Sequence, residues 1–318
     1  MALGSGLQTL GYGLRATGTT ENKTLGIDAP RDLRDVRRFS HDAMATVFEV
    51  HAVHDDGRYA EQAAQAAFDL VDRLERELSR FIPNSDIGRV NELAPGERTR
   101  VAPTTLECLV IARHAFELTG GVFDVSIGTG LDSLELDADA CVIGATRRGV
   151  KIDLGGVGKG YAVDLMAEVL EEWGVERALV HGGFSSVLAL EPPPGREGWP
   201  LTLSTPGARS RVFATVSPRQ TAMGASGVRK ADHIVNPRTG EPVRDRIAAW
   251  VAVPRPPPAS DGPRLAAAAI SDALTTAFMM LPSDAIADLC DRAPGTEAWI
   301  LESGSGDEPE LIHLGGQA

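Results

Sequence analysis

Val150-Lys151-Ile152-Asp153-Leu154-Gly155-Gly156-Val157-Gly158-Lys159-Gly160-Tyr161-Ala162-Val163-Asp164 is the stretch whose reading decides the fold. Residues 150–154 read as a short strand that runs into a glycine-rich turn. A helix follows over 161–173 and is closed by Gly174, the residue type that most easily ends a helix in the left-handed region. A strand–loop–helix unit of this kind suits anion binding. Glycines let backbone N–H groups approach a phosphate, and the helix end adds a partial positive charge. Lys159 offers a counter-charge. The loop is not a P-loop, because Gly160 stands at the Ser/Thr position and Asp153 at the first glycine. Nor do its glycines fall at G-x-G-x-x-G. On residues alone, a tight structural turn is an equal reading.

Working outward, upstream residues 46–53 predict a strand. Residues 58–80 predict a long helix, with Ala63, Ala67, Leu70, Val71, Leu74 and Leu78 at 3-and-4 spacing. A second helix starts at Thr104, where Thr104 and Glu107 read as a capping box, and stops at Gly120-Gly121. Downstream, short strands are expected at 178–181, 186–190, 201–204 and 211–216. The proline-rich stretch 254–263 reads as a loop, the alanine-rich stretch 265–281 as a helix, and 298–301 as a late strand. Strands and helices mix without regular alternation, so the class is α+β. Residues 1–36 read as a poorly ordered leader and 37–318 as one folded domain. Arg37-Arg38-Phe39 resembles half of a twin-arginine signal, but no apolar stretch follows, so it reads as basic linker.

Composition narrows the function. The chain has 318 residues, 43% of them hydrophobic and 24% charged, which excludes a collagen, a coiled coil or a wholly disordered chain. Acidic residues outnumber basic ones 44 to 31, for a formal charge of −13, so a nucleic-acid partner is not expected. Phosphate-bearing small molecules remain open, since a few lysines and amides hold them locally. Aromatics at 5% argue against a base-stacking platform. The three cysteines make neither a disulfide framework nor a zinc spacing, and Cys108 and Cys290 read as buried thiols on helices. No transmembrane segment and no signal peptide are read, so a cytoplasmic location is expected.

Two more candidates stand apart from the loop. Asp272 and Thr276 lie four residues apart on one helix face and are hard oxygen ligands of the type Mg²⁺ prefers. Taken alone, Asp272 reads first as a residue on an exposed helix face. His233 precedes the turn Asn236-Pro237-Arg238-Thr239-Gly240. It reads either as a polar strand residue or as an acid–base group.

These pieces fall in one order with others: Met44-Ala45-Thr46-Val47-Phe48, Leu78-Ser79-Arg80-Phe81-Ile82-Pro83-Asn84-Ser85-Asp86, Gly120-Gly121-Val122-Phe123-Asp124-Val125, the 152–164 segment, Val180-His181-Gly182-Gly183, 233–240 and 272–276. In that order the chain resembles the FAD:protein FMN transferase (ApbE) family from about Phe39 to the C-terminus. The resemblance implies an α+β flavin-transferase fold, with mixed sheets and packed helices around an FAD cleft. It implies transfer of FMN from FAD to a Ser or Thr of an acceptor protein, with release of AMP. An FAD pyrophosphatase and a non-catalytic FAD-binding protein are the alternatives.

Carried over by position, Met44 and Phe81 line the flavin pocket, and Val122, Phe123, Asp124, Asp153, Lys159 and Val235 contact FAD. The Gly156 carbonyl, Asp272 and Thr276 hold Mg²⁺, and His233 is the general base for the acceptor hydroxyl. Phe81 stands where many members have Tyr, Asn236 replaces the usual Asp of its turn, and Phe184 follows Gly182-Gly183 where Asp or Asn is common. The stretch 130–150 is short and lacks an aromatic-glycine motif common in the family. Family acceptors carry an Asp-Gly-x-Ser/Thr-Gly-Ala-Ser/Thr-like segment, and this chain has none.

Overall fold

In a computed structural model, the described residues are 25–27, 35–205, 211–227, 246–256, 266–304 and 308–316. His233, Val235, Asn236, most of the expected leader and most of the proline-rich stretch lie outside them. In chain order the elements are β1 (Leu25–Ile27), β2 (Val36–Ala43), β3 (Thr46–Val53), α1 (Gly57–Leu78), α2 (Asp86–Val90), β4 (Arg98–Arg100) and α3 (Pro103–Leu118). Next come β5 (Leu134–Asp137), β6 (Val142–Ala145), α4 (Gly158–Glu172), β7 (Ala178–Gly182), β8 (Ser186–Ala189), β9 (Leu201–Ser204) and β10 (Val212–Val216). The chain continues through β11 (Thr221–Gly227), β12 (Arg246–Pro254), α5 (Ala267–Phe278), α6 (Ser283–Arg292), β13 (Glu297–Glu302) and β14 (Glu310–Gly315).

The central sheet has eight strands in the order β14-β13-β12-β11-β8-β7-β3-β2. Two small sheets, β1-β9-β10 and β4-β6-β5, complete the strand layers. The mixed sheets that the resemblance implies resolve into antiparallel ladders throughout the described residues. Alternation along each strand gives the central sheet two buried faces. Phe48, Val50, Val180, Leu188, Ala249 and Val251 point to α1, α4 and α5. Leu179, Val187, Met223, Trp250 and Trp299 point the other way, where Trp199 just ahead of β9 and Leu201 and Leu203 of β9 cover them. Trp199 and Trp250 are fully buried there; a large apolar side chain so placed contributes about 1.5–3 kcal/mol.

α5 is the helix that brings the site into the core. All of its residues are buried except Thr276, which is half-buried. Its sequence is rich in alanine, so neighbours approach closely. The closest crossing is with α4, where a β-carbon on Gly160 would lie 2.2 Å from the Ala268 carbonyl oxygen. Only glycine fits that contact. α4 ends where Gly174, at φ +70°, leaves the helix and Val175 N donates back to Leu170 O at 2.8 Å.

Three expectations need correction. Residues 150–154 form no strand. Asn91 pairs with both backbone groups of Ile152 through its side-chain amide, and Lys151 N donates to Thr129 Oγ1 at 2.9 Å, so side chains replace a partner strand. The capping box at Thr104 does not form. α3 opens at Pro103 with no side-chain cap; Thr104 Oγ1 donates to Glu77, and Glu107 accepts from the Tyr161 hydroxyl at 2.7 Å. Arg37 and Arg38 belong to β2 rather than to a linker, and Arg38 pairs with Glu49. Cys108 and Cys290 are buried on α3 and α6 as expected, and burial pushes the Cys290 thiol up to about 11.

Candidate active site

The hairpin between β2 and β3 turns through Met44 and Ala45, both in the left-handed region at φ 49° and 56°. Two such residues make the tight turn that suits the twist of paired strands. The hairpin tip meets the end of α1 and the glycine loop around a cavity of about 220 Å³. Met44, Phe81, Asp153 and Lys159 all line it, so the structure gathers four of the expected FAD contacts into one place. Phe81 is 79% exposed, which leaves its ring face open for stacking. The Arg80 guanidinium lies 4.5 Å from the centre of that ring, and Arg80 Nε pairs with Asp153 Oδ2 at 3.0 Å.

A second cavity of about 580 Å³ also touches that ion pair and is lined by Asn91, Ser126, Ile127, Thr129 and Lys151 among others. Arg80 and Asp153 belong to both cavities. Val122 and Phe123 are buried, and Asp124 holds the loop that follows. Its carboxylate accepts from Ser126 N at 2.8 Å, Ser126 Oγ at 2.7 Å and Gly128 N at 2.8 Å.

The glycine loop resolves the two readings of its amides toward structure. Gly155 N donates to Asp153 Oδ1 at 2.9 Å, Val157 N and Gly158 N to Leu154 O at 3.0 and 2.7 Å, and Gly160 N to Asp272 Oδ2 at 3.0 Å. Lys159 carries the positive charge of the loop into the cavity wall. Its ammonium sits 3.0 Å from Gly155 O and 3.7 Å from Asp272 Oδ2.

Asp272 is not a solvated residue on an exposed face. It is 4% exposed, and Ser186 Oγ donates to its Oδ1 at 2.6 Å. Burial raises its pKa, while the Lys159 charge, the Ser186 hydroxyl and the Gly160 amide pull it back only in part. Thr276 follows one turn later, with Oγ1 3.3 Å from the Asp272 carbonyl. A β-carbon on Gly156 would lie 3.6 Å from Thr276 Oγ1 and 3.1 Å from the Phe123 ring, so the loop and α5 converge. The three positions assigned to the metal thus lie on the glycine loop and on the one turn of α5 that faces it. They offer one carboxylate, one hydroxyl and one carbonyl, all hard oxygens. That set fits Mg²⁺, which uses few protein ligands and keeps water or phosphate oxygens. A cation would also offset the charge that burial opposes at Asp272.

Sequence reasoning missed Ser186, Arg80 and Asn91. Ser186 stands 86 residues before Asp272 and meets it only because β8 packs under α5. The signal available for Arg80 and Asn91 was their place in the 78–91 stretch beside Phe81.

The site is thus a cavity of an antiparallel α+β fold, lined by an exposed aromatic ring and a lysine, with a buried carboxylate behind that lysine. The chain belongs to the ApbE family, whose model matches residues 44–135 and 128–300. It is 23% identical over 261 residues to a FAD:protein FMN transferase of Vibrio cholerae, covering 69% of this chain and 77% of that protein. A FAD:protein FMN transferase of Klebsiella pneumoniae is 24% identical over 254 residues, covering 66% and 71%. Among solved structures, the flavin transferase ApbE from Vibrio cholerae superposes with a TM-score of 0.73 at 18% identity, over 88% of this chain and 97% of that one. The ApbE protein from Thermotoga maritima gives 0.74 at 20% identity, over 88% and 97%. No helix among the described residues is long and apolar enough to cross a membrane.

Proposed function

We propose that this protein transfers FMN from FAD to a Ser or Thr hydroxyl of an acceptor protein, with Mg²⁺ held by Asp272, Thr276 and the Gly156 carbonyl. The observation that carries the reading is Lys159, which lines the same cavity as Met44 and Phe81 and sets its ammonium 3.7 Å from the Oδ2 of buried Asp272 behind it. The names of the two curated relatives support it. In the balanced step, the acceptor oxygen forms a bond to the FMN phosphorus as the bond from that phosphorus to the AMP oxygen breaks. The hydroxyl proton passes to His233, which stands in the family's position for that base. Lys159 holds negative charge at the pyrophosphate, and Phe81 offers its ring face to the flavin. When bound, Mg²⁺ supplies further neutralisation of the phosphate charge. Residues 37–318 form the domain that does this, in the cytoplasm.

The test is incubation with FAD, Mg²⁺ and a peptide bearing the acceptor segment. Mass spectrometry reads the FMN adduct and chromatography reads AMP and FMN. An adduct with equimolar AMP supports the proposal. FMN and AMP without adduct make the protein an FAD pyrophosphatase, and bound FAD without AMP makes it a flavin binder. His233→Ala should lower transfer on the order of 10²–10⁴-fold with little change in FAD binding.

A further inference from the structure

α5 enters the core without a cap of its own. Its N-cap residue is Ala266, whose side chain accepts nothing. The first amides of a helix need acceptors when they are buried. They find them on α4: Asp164 Oδ1 accepts from Ala268 N at 3.0 Å and Oδ2 from Ala269 N at 2.9 Å. Asp164 is 8% exposed. The return bond runs the other way, from Gly160 N on α4 to Asp272 Oδ2 on α5 at 3.0 Å. Each helix thus gives the other a carboxylate and receives it on backbone amides. Asp164 lies four residues after Gly160, and Asp272 four after Ala268, so the two arms are spaced by one turn on both helices. The bare crossing at Gly160 brings the helix axes close enough for both.

We propose that Asp164 is a positioning residue for the reaction: by clamping the first turn of α5 to α4, it fixes where Asp272 and Thr276 stand over the glycine loop. A small slide of α5 along its axis lengthens both arms at once, so the register of the helix is held at two points. Thr276 lies one turn beyond the second arm and has no arm of its own to α4 among the bonds just described. Its place depends on that register. The groups that act on the Asp164 charge are the α5 amides, Arg255 just beyond β12 and Glu168 on α4. Burial is the largest influence and raises the carboxyl to about 7, with Glu168 acting in the same direction; the two amides and Arg255 oppose it.

The role rests on the metal and phosphate reading above, and the experiment separates the two. Asp164→Asn keeps one acceptor oxygen and removes the buried charge, so at pH 8 the variant should melt no lower than wild type. Its second arm meets an NH₂ group instead of an oxygen. Amide hydrogen exchange should then speed up at Ala268 or Ala269 and, across the clamp, at Gly160. Mn²⁺ affinity read by electron paramagnetic resonance and kcat for FMN transfer should each fall about 10–100-fold, as for other residues that orient metal ligands. KM for FAD should move less. Unchanged exchange at Gly160 together with wild-type kcat and Mn²⁺ affinity in the folded variant overturns the positioning role. If wild-type protein neither binds Mn²⁺ nor transfers FMN, the functional reading falls. The exchange at Gly160 then decides the clamp alone: faster exchange in the variant upholds it and unchanged exchange overturns it.

Discussion

The two faces of the central sheet treat buried carboxylates in opposite ways. On the face toward the small sheet, Glu49 is 3% exposed and sits among Arg38, His51 and His181. Burial pushes its pKa up, but bonds from His51 and Arg38 and the charges of His181 and Arg38 outweigh that and hold it at about 2. On the helix face, Asp272 is equally buried, yet it meets one lysine, one hydroxyl and one amide, and its pKa is raised. Asp164 nearby is raised to about 7, chiefly by burial. A buried carboxylate that is fully answered by cations holds a structure together. One left short of positive charge is poised to receive it from elsewhere.

Four substitutions test that contrast. Asp272→Asn should lower transfer on the order of 10²–10⁴-fold, the several kcal/mol expected when phosphate charge loses its neutralisation. The protein itself should gain stability relative to wild type as pH rises past the ordinary carboxylate range, because the variant has no charge for burial to oppose. Thermal melts across pH read the second effect, and a loss of stability instead would put Asp272 with Glu49. Glu49→Gln should do the reverse, costing about 3 kcal/mol in urea unfolding at pH 7 while kcat per folded molecule stays unchanged. Since its folded pKa is lowered, that contribution is complete above about pH 4.5 and disappears as pH falls toward 2; at pH 2 variant and wild type should converge. Lys159→Ala should weaken FAD binding by roughly 1–3 kcal/mol, read by flavin fluorescence, with FMN affected less. The smallest effect is at the hairpin. Ala45→Gly relieves a left-handed alanine and should stabilise the fold by up to about 1 kcal/mol.

Much of this was legible in the chain. The 3-and-4 spacing placed α1 within two residues of its ends, and β-branched alternation placed β3 at 46–53, because in both the buried face is written into neighbouring positions. β11 was not legible. Its sequence Thr-Ala-Met-Gly-Ala-Ser-Gly is small because α5 presses on it, a tertiary reason that no local preference reports. β2 escaped for a different cause: it is an edge strand whose exposed arginines look like linker. At the site, Asp272 and Thr276 share a helix face and so could be paired from spacing. Ser186 and Asp164 reach them from β8 and α4, and only the packing of those elements on α5 makes them neighbours. Lys159 was legible as a charge, but the direction of the loop amides was not.

The Arg80–Asp153 pair lines two cavities, of about 220 and 580 Å³, with both side chains in contact with solvent, at 45% and 31% exposure. Pairs this wet are worth about 0–1 kcal/mol. Parting the pair therefore costs a ligand little, and a ligand that takes the place of either partner reaches from the lining of one cavity into that of the other.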